Sequence, residues 1–195
     1  MVQIGNSQKS EYAANTAVVL WGDHGYQLGE KSKFAKMALW ETSTRTPLII
    51  KPPKSKGKQV TNRPVSLLDL YPTLVKMCGL PRNPANEGRD LTPLLNDPTT
   101  KWEHAALTTY GAKNHAVKTE RYRYIRYEDG SEELYDHNVD PLEQTNLSDD
   151  PKYLTVIQKL RKHIPKKVAL PHGTNSWQGD RLDEILNEWK RASLK

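Results

Sequence analysis

Residues 18–50 read VVLWGDHGYQLGEKSKFAKMALWETSTRTPLII. An apolar, β-branched run stops at Gly22-Asp23-His24-Gly25, passes through Lys31, Lys33 and Lys36, and turns apolar again at Pro47. The runs TAVVL (16–20) and TPLIIK (46–51) have the composition of short strands buried on both faces, the texture of a parallel sheet. Pro47 is tolerable because the first residue of a strand need not donate to the ladder. In open α/β sheets ligands collect beyond the carboxyl ends of the strands. The first run therefore delivers Asp23 and His24 to a ligand-binding position, and Gly22 and Gly25 allow a tight turn around them. A carboxylate oxygen beside an imidazole nitrogen makes half of a metal shell or grips one oxygen of an anionic substrate. Two ligands make no tight site, so further ones must come from elsewhere. The competing reading is an Asp that caps the turn beside a solvated His.

Outward from this stretch, SLLDLYPTLVKMCGL (66–80) reads as a helix. Ser66 is its N-cap, Asp69 closes a capping box, and Gly79 ends it, while Pro72 is tolerable only in the first turns. From residue 104 the texture changes to short aromatic and β-branched runs: HAALTTY, HAVKTE, YRYIRY and EELYD. Their spacing predicts an antiparallel meander, with Asp129-Gly130 turning the last hairpin. A polar loop follows, then helical periodicity over 152–164 and again over 181–194. The expected fold class is α/β, or α+β for a fragment. It comprises a partial parallel sheet with helices over 1–100, then a small antiparallel sheet packed with a helix over 101–195. Two strands covered on both faces need neighbours, so the chain reads as the later part of something larger.

A chain of 195 residues with 36% hydrophobic content can bury one core, and with 27% charged residues and no long apolar run it has no membrane-spanning texture. The formal charge of +6 raises the question of nucleic acid. Lys51, Lys54, Lys56, Lys58 and Arg63 crowd a Pro/Gly-containing loop, and Arg161, Lys162, Lys166 and Lys167 crowd a helix end, where the dipole favours cations. Neither cluster has a recognition helix or a stacking platform, so a solvated basic face is the better account. The single cysteine, Cys78, forms no internal disulfide, and the first residues lack a basic-then-apolar secretory pattern.

The segment WGDHGYQLGEKSKFAKMALWETSTRTPLII closely resembles the second metal-binding segment of the type I sulfatases, notably bacterial ones similar to iduronate-2-sulfatase and choline-sulfatase. PVSLLDLYPTLVKMCGLPRNPANEGRDLTPLL resembles the helix-and-loop stretch of that family, and NHAVKTERYRYIRYEDGSEELYDHNVDPLEQTNL resembles its C-terminal sheet. The resemblance runs over about residues 10–165 in family order. It implies that Asp23 and His24 are ligands of one calcium ion and that Lys36 is the catalytic lysine contacting substrate sulfate. It implies a substrate-binding role for Asn114 and His115, whose competing reading is a polar turn before a strand. Trp40 and Arg45 match family positions too, where packing and bracing suffice.

Such sulfatases cleave sulfate esters with a formylglycine made in a C/S-x-P-x-R motif. Cys78 heads CGLPR, where Pro and Arg fall one residue late, so formylglycine is not encoded here, and the other acidic metal segment is absent as well. The chain alone is expected to lack sulfatase activity and to serve as the C-terminal part of a sulfatase. Its implied partners are a sulfate-ester substrate and either an amino-terminal half or a second copy that completes the sheet. Two rivals stand beside this reading. One is a phosphatase or phosphodiesterase of the alkaline-phosphatase-like superfamily, where the Asp-His pair binds zinc or manganese. The other is a non-catalytic, oligomerising interaction module.

Overall fold

In the computed structural model, which describes residues 10–55, 59–111 and 113–168, strand β1 (Val18–Trp21) pairs with β2 (Leu48–Lys51). The pairing is antiparallel, with Val18 opposite Lys51 and Trp21 opposite Leu48. This corrects the expectation of two parallel strands buried on both faces. A parallel pair needs a long crossover, usually a helix. The connection from Gly22 to Pro47 holds only a 3-10 turn, Glu30–Ser32, and a short helix, α1 (Glu41–Thr44). Leu20 and Trp21 are about half exposed.

The helix expected over 66–80 forms as a 3-10 turn, Leu67–Asp69, running into α2 (Leu70–Met77). The Asp69 carboxylate accepts the Ser66 N–H at 2.8 Å, and the Ser66 hydroxyl accepts the Leu68 N–H at 3.4 Å. Pro72 falls in the first turn of α2, where a missing N–H costs nothing. Gly79, at φ 65°, closes the helix: its N–H reaches the Lys76 carbonyl and that of Leu80 reaches Val75. Only a residue at ease in the left-handed region permits that closure. A short helix, α3 (Thr92–Asn96), follows.

The meander is present as expected: β3 (Ala106–Tyr110), β4 (Asn114–Lys118), β5 (Tyr122–Arg126) and β6 (Glu132–Asp136) lie in sequence order, all antiparallel. A 3-10 turn, Pro151–Tyr153, leads into α4 (Leu154–Arg161). Alternation along the strands sends their side chains to two cores. Val117, Tyr124 and Leu134 meet Ile157 and Leu160 of α4 on one face. Ala116, Ile125 and Tyr135 meet Leu39, just before α1, on the other. Each such aliphatic side chain contributes about 1.5–3 kcal/mol when buried. The second core ties the Asp-His-bearing stretch to the meander. All these elements lie in the first of two units, Met1–Pro165. The helix expected over 181–194 lies outside the described residues. Among the described residues no helix is long and apolar enough to cross a membrane.

Candidate functional site

The turn after β1 is built by its glycines. The Gly22 N–H continues the strand pairing to the Pro47 carbonyl at 3.0 Å, and that of Gly25 reaches the Ser43 carbonyl at 2.9 Å. A Cβ on Gly25 would stand 2.0 Å from the Thr42 carbonyl oxygen, so no other residue fits against α1 there. Between them Asp23 projects into solvent, its side chain 86% exposed, with His24 beside it at 38%.

The imidazole is oriented by its own turn. His24 Nδ1 lies 2.8 Å from the Gly25 carbonyl oxygen, and a carbonyl only accepts, so Nδ1 carries the proton. In the neutral ring Nε2 then presents its lone pair outward, the arrangement common to metal-ligating histidines. Asp23 Oδ2 lies 3.6 Å from Nε2, and Lys36 Nζ donates to the same nitrogen at 3.2 Å. A carboxylate, an imidazole lone pair and an ammonium group thus meet at one exposed point.

The lysines that composition left equivalent are separated by geometry. Residues 26–36 form a loop with two paired arms: the Gln27 N–H reaches the Ala35 carbonyl at 3.0 Å and the Gly29 N–H reaches that of Lys33 at 2.9 Å. Lys36 lies at the base, against His24. Lys33 lies over the Trp40 ring, 4.9 Å from its centroid. Lys31, at the tip, turns to the meander and donates to the Tyr135 hydroxyl at 3.1 Å. Trp40 donates its indole N–H to Glu133 at 2.6 Å, and Arg45 lies 3.8 Å from Glu41 on the exposed side of α1.

Asn114 and His115 make their hydrogen bonds within the meander. The Asn114 amide donates to the Tyr110 carbonyl at 3.0 Å and accepts the Glu128 N–H at 3.1 Å. It lines a shallow recess with Tyr127, Glu128, Asp129 and Ser131. His115 shares the face of Val117 and is buried, with Nδ1 2.9 Å from the Thr109 hydroxyl; burial pushes its pKa down, so the ring stays neutral. Cys78 is exposed at the end of α2.

Glu41, His137 and Glu143 form a second donor cluster that no local motif announces, being drawn from α1 and from the loop that follows β6. It already holds a cation. The guanidinium of buried Arg123 bonds to Glu41, sits with Nε 2.8 Å from Glu143 Oε1, and donates to the Leu39 carbonyl at 3.0 Å. The Glu41 N–H reaches Glu143 at 2.8 Å, and His137 Nε2 lies 2.8 Å from the same carboxylate. Burial pushes the Glu41 carboxyl up, but the charge and hydrogen bond of Arg123 outweigh it and hold the pKa below the ordinary glutamate value. The cluster is an internal ion-pair brace between the Asp-His-bearing stretch and the meander. Gln27 and Ser43 are also buried, and their side-chain polar atoms have no hydrogen-bond partner. Nothing in the sequence marks either.

Residues 29–169 match the family described as N-sulphoglucosamine sulphohydrolase, C-terminal. The chain is 46% identical over 163 residues to a sulfatase of Formosa agariphila, covering 83% of this chain and 32% of that protein. An ulvan-active sulfatase of the same organism is 32% identical over 169 residues, 80% of this chain and 33% of the relative. Among solved structures, one described in complex with its substrate D-glucosamine-2-N,6-O-disulfate superposes with a TM-score of 0.64 at 27% identity. That match covers 77% of this chain and 33% of the other. The chain spans about a third of the length of the curated relatives it matches. With a family match over most of its length and these two relatives, the chain belongs to the sulfatases of the alkaline-phosphatase-like fold and corresponds to their C-terminal portion.

Proposed function

We propose that this chain supplies one half of a sulfate-ester-hydrolysing site, in which Asp23 and His24 are ligands of a single calcium ion and Lys36 is the catalytic lysine that contacts the substrate sulfate. The observation that carries the reading is the convergence of Asp23 Oδ2 and Lys36 Nζ on His24 Nε2, at 3.6 and 3.2 Å. The donor set fits the ion: a hard, exposed carboxylate oxygen and an imidazole lone pair freed by the Nδ1–Gly25 bond suit a calcium site completed by further oxygens. When bound, calcium neutralises sulfate charge and activates the nucleophile. Lys36 adds a compact positive charge for one sulfate oxygen. His24 receives that ammonium until an anion takes it.

The nucleophile of this reading, a formylglycine, and the remaining metal ligands come from outside these residues. The chain alone is then a contributor of binding groups and not a hydrolase. Its partner is the amino-terminal portion of a sulfatase, seated on the apolar side chains that β1, β2, α2 and the 3-10 turn before α2 leave exposed, among them Trp21, Ile49, Leu68 and Tyr71. The substrate class is a sulfated polysaccharide sugar, supported by the relatives named as acting on ulvan and on a disulfated glucosamine. Asn114, in its recess beside the β5–β6 turn, contacts the sugar, and His115 braces the strand that carries it.

Calorimetric titration of the chain with calcium tests the metal assignment. Binding weaker than about 10⁻⁴ M, as expected for an incomplete oxygen shell, disappears in both Asp23→Ala and His24→Ala. Binding that survives either substitution, or a preference for zinc or manganese, overturns the assignment.

A further inference from the structure

We infer that Lys31 is a positioning residue for Lys36, transmitting the rigidity of the C-terminal sheet to the base of the 26–36 loop. Its meaning for sulfate recognition rests on the function proposed above; the mechanical claim does not.

The loop links His24 to Lys36 through two paired arms, with Gln27 bonded to Ala35 and Gly29 to Lys33. The register of those arms sets how far Lys36 stands from His24. The tip that joins them carries hydrogen bonds of its own, from the Ser32 N–H to the Gly29 carbonyl at 3.1 Å and from the Lys33 N–H to the Glu30 carbonyl at 3.0 Å, but they close over a strained backbone. Lys31 and Ser32 adopt φ of 50° and 57°, left-handed values that residues with a Cβ avoid, and they follow Gly29 at 122°. Two such residues in succession persist only where the surroundings over-determine them.

The surroundings here are specific. The Lys31 ammonium stands 5.0 Å from the Trp40 ring centroid and 4.7 Å from that of Tyr135, and donates to the Tyr135 hydroxyl. That hydroxyl donates onward to Glu133 at 2.7 Å, and the same carboxylate accepts the Trp40 indole and the Tyr127 hydroxyl. Burial and the neighbouring Glu133 push the Tyr135 hydroxyl well above its ordinary pKa, so it keeps the proton it donates. Tyr135 is itself buried in the core that holds Leu39. A chain of directional bonds therefore runs from the meander through Tyr135 to the loop tip. Lys33, over the Trp40 ring, has no such bond.

The test needs no bound ligand. In the full chain at fixed pH, nuclear magnetic resonance follows the His24 Nε2 shift, which senses Lys36, and the exchange protection of the Gln27 and Gly29 amides. In Lys31→Met the His24 signal is expected to move toward that of Lys36→Met. The two amides are expected to lose protection by about tenfold or more, while the Val117 and Tyr124 amides keep theirs. Lys31→Arg, which retains the charge and a donor, restores both. Unchanged His24 and loop amides in Lys31→Met overturn the inference. So does an equal loss of protection at Val117, which would make Lys31 a general stabiliser. Sulfate contact by Lys36 is judged separately, by hydrolysis in Lys36→Met of a chimera in which this chain replaces the matching portion of a whole sulfatase, so either claim can fail alone.

Discussion

Arg123 shows how much one side chain can decide. It leaves β5 toward the Asp-His-bearing stretch, is buried at 3% exposure, and meets Glu41, Glu143 and the Leu39 carbonyl there. Breaking a buried pair by removing one partner strands the other charge, which costs about 3–5 kcal/mol. Arg123→Met is therefore expected to lower stability by about that amount in denaturant unfolding at pH 7. The pH dependence carries the signature. In the native protein the Glu41 pKa lies below the ordinary 4.5, so its contribution is present above that value and is lost as the pH falls through the lower, folded one. In Arg123→Met burial is opposed only by the charges of Lys118 and His137 and the Glu41 pKa rises, so the deficit shrinks as the pH falls and the carboxyl protonates. A deficit independent of pH between 4 and 7 would show that the pair is not its source. None of this was legible beforehand: Glu41, Arg123 and Glu143 are ordinary charged residues in sequence, and only the fold makes them neighbours. The three lysines of the loop taught the same lesson, since composition ranked them equally and only the loop's pairing sends Lys36 to His24 and Lys31 to Tyr135.

Among the elements, those whose signals are local were legible. Ser66, Asp69 and Gly79 define the ends of the helical stretch through caps that involve neighbours in sequence. The β3–β6 meander follows from aromatic and β-branched runs separated by turn residues, Asp129-Gly130 among them. Strand direction in the first sheet was not legible, because a short apolar run carries no record of whether its partner lies parallel or antiparallel. The deciding feature was the Gly22–Pro47 connection, which lacks a crossover helix. The glycines of that connection were legible as turn formers, but the reason at Gly25 is sharper: it packs backbone to backbone on α1. Gly25→Ala places a methyl 2.0 Å from the Thr42 carbonyl oxygen, and backbone cannot swing aside as a side chain can. The expected cost is about 1–3 kcal/mol in thermal or denaturant unfolding, together with a shift of the His24 ring resonances. A variant as stable as the parent, with unshifted His24 signals, would show that α1 does not anchor the turn.

At the scale of the whole molecule, the C-terminal sheet is complete, covered by α4 on one face and by the Leu39 core on the other. The first sheet is different, with Trp21, Leu20 and Ile49 about half exposed or more. Leu20 and Ile49 are cross-strand partners on one face, and exposed apolar surface of that kind marks a place where other protein sits. The same asymmetry appears at the site: Asp23 is almost wholly solvated, though a carboxylate in a finished metal shell is engaged on most sides. Both features agree with a chain spanning about a third of the length of its relatives. The central claim is that Asp23, His24 and Lys36 complete a hydrolytic site assembled with the rest of a sulfatase. The direct measurement is a chimera in which this chain replaces the matching portion of the ulvan-active sulfatase of Formosa agariphila, assayed for sulfate released from ulvan. The expected result is hydrolysis by the chimera that falls by about 10²-fold or more in Asp23→Ala and in Lys36→Met, the scale for loss of a charge-stabilising group. Hydrolysis that survives both substitutions would contradict the account.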